Sequence, residues 1–129
     1  NHSVKQMMEE ELTGDIIPDL RRLSAHILML VKRKHDVMRL MVEVHQIPEL
    51  YEKLLENAAE RRAWFTEFFQ HQVELGALRE SVTPETLTLS FMGLIMGYGM
   101  SAQIHHDTPE DTNRQIDALI DVFLHGTSA

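Results

Sequence analysis

Eight histidines sit among 20 aspartates and glutamates in a chain of 129 residues, so metal ligation is the first chemistry to weigh. Glu67, His71 and Glu74 fall on one face of a helix and offer three ligands. Carboxylate-metal bundles, however, need paired Glu-x-x-His motifs with further glutamates facing inward. The chain contains no Glu-x-x-His, and the spacing argues against a metal centre. His105-His106-Asp107 lies where an apolar run stops, and histidine there suits the negative end of a helix dipole. His26 flanks an apolar stripe and is the better candidate for a buried polar contact. The triplet Lys32-Arg33-Lys34 invites phosphate binding, but it crowds a helix C-terminus, where a solvated cationic end is the plainer reading. No glycine-rich phosphate loop, nucleophile elbow or His-Glu-x-x-His occurs. The expectation is therefore a non-enzymatic chain with no catalytic residues, no cofactor and no metal.

Composition narrows the class further. Hydrophobic residues make up 43% and charged residues 25%, the profile of one soluble domain with a sizeable core. A formal net charge of −8 repels phosphate and argues against a nucleic-acid-binding surface in this chain. With no cysteine there is neither a disulfide framework nor thiolate chemistry. No secretory signal or transit peptide is visible.

The candidate residues must be positioned by helices, since no strand pattern or internal repeat is present. Thr83 to Ile104 is the central stretch. Thr83 can cap it, Pro84 opens it, and no charge follows Glu85 until Asp107. A helix apolar all round is expected to be buried all round. Ser90, Gly93, Gly97, Met100, Ser101 and Ile104 form a small, flat side; Leu87, Phe91, Ile95 and Tyr98 form a bulky one. Two such faces predict two neighbours, the chain's own core and a second copy of the chain. An apolar run with Gly-x-x-x-Gly also fits a membrane span. Its flanks, though, carry acids and histidines rather than a Lys/Arg cluster or an aromatic belt, so no membrane is expected.

Around it the spacing predicts a short connector helix over Ser3–Leu12, ended by Gly14, then a helix from Ile16 to Arg33 with its stripe at Leu20, Leu23, Ile27, Leu30 and Val31. Asp36 is read as the cap of a further short helix reaching Gln46. The longest helix runs from Pro48 to Leu75 before Gly76, its buried side marked by Tyr51, Leu54, Leu55, Ala58, Phe65, Phe68, Phe69 and Val73. Arg61-Arg62 interrupts that stripe midway. Thr108-Pro109 repeats the start signal for a last helix with Ile116, Leu119, Ile120 and Phe123 inward and Gly126 as its stop. The sum is an all-α bundle of about six helices.

The run Phe68-Phe69-Gln70-His71-Gln72-Val73-Glu74-Leu75-Gly76-Ala77-Leu78-Arg79-Glu80 resembles the end of the long helix in TetR-type transcriptional regulators. There a Gly-x-Leu-Arg phrase precedes an acidic or Thr-Pro helix start, as Gly76-Ala77-Leu78-Arg79 precedes Thr83-Pro84-Glu85 here. A glycine-containing apolar helix and a polar gap follow, and Phe123-Leu124-His125-Gly126 is similar to the family's closing phrase. The order of these phrases extends the resemblance over essentially the whole chain. It implies a connector helix at 1–13 and a ligand-binding and dimerisation domain at 14–129, with the family's helix-turn-helix absent from this chain. It implies a cytoplasmic homodimer that meets DNA only through that absent part, in the manner of a repressor. The implied interface comprises Gly93, Gly97, Met100, Ile104, Leu119 and Phe123. The implied pocket is lined by Ile27, Leu30, Met41, Phe65, Phe69, Phe91, Ile95 and Tyr98, with His26 and Tyr98 as polar anchors. Its lining implies a hydrophobic or aromatic small-molecule effector. Two other classes stay open: a stand-alone helical oligomerisation or adaptor module, and a carboxylate-metal bundle enzyme.

Overall fold

A computed structural model describes residues 9–44 and 48–129, with the side chains at 34–44, 48, 50, 51 and 53–55 outside the description. Four long helices follow one another: α1 (Ile16–Val44), α2 (Pro48–Glu74), α3 (Pro84–His105) and α4 (Pro109–Thr127). Residues 9–11, inside the expected connector helix Ser3–Leu12, are helical and Leu12 is not; positions 3–8 lie outside the described residues. The protein is thus all-α, and the only pairing of extended chain among the described residues is a single bridge between Leu78 and Ser128.

One element differs from expectation. The two helices predicted on either side of Asp36 are one continuous helix, α1. Neither glycine nor proline stands between Arg33 and Val44. A lone aspartate inside a helix costs only about 0.7 kcal/mol, too little to end it. Pro48 opens the next helix, as proline does at a first position.

Most of the other local signals act as read. The Thr83 hydroxyl accepts the Thr86 N–H and Pro84 opens α3. Thr108 and Asp111 cap α4 reciprocally. Gly14 and Gly76 adopt left-handed φ of 89° and 79° beside their helix ends. His106, at φ 53°, closes α3 in the same region without being glycine. Gly126 does not stop α4. The helix continues through Thr127, whose hydroxyl donates to the Phe123 carbonyl, and ends at Ser128.

The capping box is sensitive to acid. Hydrogen bonds from Thr108, its side chain first, and then Arg114 hold the Asp111 carboxyl below its usual range. A lowered folded pKa adds stability that is complete above the unfolded value and lost as pH falls through the folded one. Asp111→Asn is therefore expected to lower the melting temperature at neutral pH, and the gap to the parent should close on acidification. Thermal melts across the acid range check this; a constant gap would count against it.

α3 packs against α1, α2 and α4, and α1 also packs against α4. The core is the meeting of their apolar stripes: Leu20, Leu23 and Ile27 of α1, Trp64, Phe65, Phe68 and Phe69 of α2, Leu87, Phe91 and Ile95 of α3, and Ile116, Ile120 and Phe123 of α4. Ala58, expected on the buried side of α2, is exposed, and Tyr51, Leu54 and Leu55 have side chains outside the description. Of the glycines, Gly99 sits tightest against a neighbouring helix: an added Cβ would lie 3.0 Å from Leu28 Cδ2 and 3.4 Å from the Val31 methyls. Gly93 and Gly97 have nothing within 4 Å of such a Cβ.

Candidate functional site

The rings of α2, α3 and α4 converge because the helical period stacks them on facing stripes. Trp64 stacks on Phe68 at 5.8 Å and meets Phe65 edge-on at 5.5 Å. Phe69, Phe91 and Phe123 close a triangle with centroid separations of 5.8, 5.2 and 5.8 Å. Of the residues expected to line a pocket, Ile27, Phe65, Phe69, Phe91 and Ile95 lie together in this core, each no more than 1% exposed. Leu30 and Tyr98 are half-buried, and the Met41 side chain lies outside the described residues. At the Phe69–Phe91 end the rings fill the space themselves.

The two expected polar anchors have partners. Tyr98 donates to Asp107 Oδ2 at 2.7 Å, tying α3 to the turn before α4. Burial and then that hydrogen bond raise its phenol pKa. His26 Nε2 lies 4.0 Å from Glu11 Oε2, beside the segment before α1. That segment is clasped elsewhere too. The buried Asp19 carboxylate accepts from the Thr13 N–H at 2.7 Å, the Thr13 hydroxyl at 3.0 Å and the Gly14 N–H at 3.1 Å. Arg22 donates to the Glu11 carbonyl and Trp64 Nε1 to Glu9. Asp19 was not singled out from sequence, and Trp64 was read only as part of an aromatic core patch. An aspartate four residues into a helix, behind Thr-Gly-Asp, is the pattern that reveals the clasp.

Glu67, His71 and Glu74 do share a face, as their spacing required. With Thr66, Gln70, Pro84 and Glu85 they line an open surface hollow of about 460 Å³. His71 Nδ1 and Glu74 Oε2 are 3.9 Å apart, and Gln70 donates to Glu74. Among the described residues no three His, Asp or Glu side chains gather closely enough to hold a metal ion.

The outer side of the α3–α4 hairpin is the other candidate. Ser90, Gly93, Gly97, Met100, Ser101 and Ile104 are all exposed, matching the division of faces read from the sequence. Met100 is 61% and Ile104 72% exposed, with Leu89 at 55% and Val122 of α4 at 61% on the same hairpin. The expectation that α3 is buried all round does not hold within one chain: only its core side is covered. Leu119 is half-buried. Phe123, expected in an interface, is 3% exposed and belongs to the core triangle. It shares the Ile116–Ile120 stripe, and Val122 takes the outward place. α3 is long and apolar enough to cross a bilayer by length and composition. Its Leu87, Phe91 and Ile95, though, pack in a core built with amphipathic helices.

Comparison of the chain with protein-family models, with curated proteins and with solved structures gives no match. The class the fold defines is an all-α helical domain in which one apolar helix is packed by the other three.

Proposed function

We propose that this chain is the ligand-sensing and dimerisation domain of a TetR-like transcriptional regulator. In this reading it is a cytoplasmic homodimer whose hydrophobic or aromatic effector controls DNA binding by a helix-turn-helix outside this chain. The observation that carries it is the outer face of the α3–α4 hairpin, where Leu89, Met100, Ile104 and Val122 stand exposed around two glycines with no neighbour. Monomeric proteins seldom leave contiguous apolar patches open to water. A two-fold pairing of the hairpin covers the same patch on both copies. The clasp of residues 9–14 on α1 and α2 gives the sensing half a route outward. Ligand binding that shifts Trp64 or His26 changes how that segment is held, and population shift does the rest.

The test is a thermal-shift screen of the purified chain against apolar and aromatic small molecules, with molar mass measured by light scattering. The expected result is twice the chain mass and a saturable rise in melting temperature. A ligand at 100 times its Kd adds about 2.7 kcal/mol, on the order of 10 °C for a domain of this size. A monomer that no compound stabilises would favour the plain helical module.

A further inference from the structure

We infer that residues 9–14 form a hinged strap across α1 and α2, that Asp19 is its latch, and that the strap opens and re-docks as a unit while the bundle stays folded. Hinge and latch belong to the chain by itself and do not require the ligand-sensing reading.

The strap bridges two helices. Arg22 of α1 donates to the Glu11 carbonyl, and His26 Nε2, also of α1, lies 4.0 Å from Glu11 Oε2. Trp64 Nε1 of α2 donates to Glu9 Oε1 at 3.4 Å. Residues 9–14 are exposed except Leu12, which is half-buried and packs against the core. The buried cluster itself, built from Leu20 to Phe123, contains none of them. Lifting the strap therefore takes no ring and no aliphatic stripe out of the bundle. Openings of this kind cost less than global unfolding, because little apolar surface is exposed. What the strap touches is nonetheless buried: Trp64 and His26 are each 8% exposed with it in place.

Hinge and latch sit together where the strap meets α1. Gly14, at φ 89°, supplies a backbone setting that other residues rarely adopt. Beside it stands the Asp19 carboxylate, in the first turn of α1 and 1% exposed. Its Oδ1 accepts the Thr13 N–H at 2.7 Å and the Thr13 hydroxyl at 3.0 Å, and its Oδ2 accepts the Gly14 N–H at 3.1 Å. The Thr13 hydroxyl in turn accepts the Asp15 N–H at 3.2 Å. The donors to Asp19 come from two adjacent residues, so they engage and leave together. While the carboxylate holds them, the hinge has one setting, and it aims the strap across His26 to Trp64. Hydrogen bonds to a charged acceptor are the strong ones, and the positive end of the α1 dipole supports that charge. Once they are lost, six residues regain backbone freedom at the expense of mostly exposed contacts. A few element-terminal residues absorbing the change is the usual build of a hinge.

The experiment is hydrogen exchange of the purified protein followed by nuclear magnetic resonance. It reads the Thr13 and Gly14 amides, the indole N–H of Trp64, the only tryptophan, and the core amides of Phe69 and Phe91. In the parent, the three strap reporters are expected to exchange through one opening that low urea does not promote, whereas the core amides follow global unfolding. Asp19→Asn sets an N–H against N–H donors and should speed all three reporters at least about 10-fold. Ile95→Val, in the core and away from the strap, should speed the core amides about 2- to 10-fold and leave the strap reporters unchanged. Strap reporters that accelerate with the core in Ile95→Val show that the strap opens only when the bundle does, and overturn the inference. Strap reporters unmoved by Asp19→Asn overturn the latch, and an indole that responds independently of Thr13 and Gly14 overturns the unit. If Asp19→Asn does not fold, Thr13→Val, which removes the hydroxyl and keeps both amides, carries the same test.

Discussion

Phe91→Ala is expected to remove about 3–5 kcal/mol of folding stability, the cost of emptying a fully buried phenylalanine site. Phe91 is 0% exposed and meets Phe69 and Phe123 at 5.8 and 5.2 Å, so it touches α2 and α4 from α3. Deleting the ring leaves two others without their edge-on partner, and each such pair contributes about 0.5–1.5 kcal/mol beyond area burial. Neighbours in three separate helices cannot all collapse into the void, which places the cost toward the upper part of the range. A domain of this kind holds roughly 5–15 kcal/mol in all. The variant should therefore unfold at a much lower urea concentration with an unchanged slope. Trp64, the only tryptophan, stacks within the same ring cluster and reports the transition by fluorescence. A loss below about 1 kcal/mol would mean the triangle is not the centre of the core.

The fold was legible where a residue type has only one good use. Thr-Pro at 83–84 and at 108–109 marked two helix starts, and Gly14 and Gly76 marked left-handed turns, because those conformations exclude most alternatives. Asp36 misled for the opposite reason. Aspartate is good at a cap but tolerable inside a helix, and the continuity of α1 follows from the lack of a true breaker. Gly126 misled in the same way: glycine permits a stop without requiring one.

The site was legible by face and not by partner. Periodicity separated Leu87, Phe91 and Ile95 from Gly93, Met100 and Ile104, and burial follows that division. Periodicity cannot say which side chains fill each other's space; Phe69 and Phe91, placed on inward stripes, are mutual packing partners. It also gave no sign of the glycine that serves close approach within the chain. Gly99, in register with Phe91 and Ile95, is the one that lies against α1. Arg61 was visible only as a break in a stripe. In the structure it stands half-buried where the α2 stripe leaves the packed core.

Gly97→Leu and Ile104→Glu separate pairing between chains from packing within one. The Gly97 Cβ direction is open, so leucine there strains nothing inside the protomer. Replacing a mid-helix glycine should even raise protomer stability, by about 0.5–1 kcal/mol. Against a partner helix the same side chain forces the backbones apart, and two-fold symmetry makes it do so twice. Ile104, 72% exposed, is among the apolar groups such a partner would cover, and glutamate there places two like charges in a desolvated seam. Each substitution should weaken dimerisation by at least about 100-fold, the scale of a hot-spot loss taken on both sides of the axis. Light scattering over a dilution series reads the dissociation constant, and thermal melts read the fold. Gly99→Leu is the control with the opposite signature: it collides with Leu28 and Val31 and should lower the melting temperature sharply. A Gly97→Leu protein that remains a tight dimer would remove this face from the interface. A Gly97→Leu protein that loses both dimer and fold would show that the glycine serves the protomer, and the open direction at its Cβ would need a different explanation.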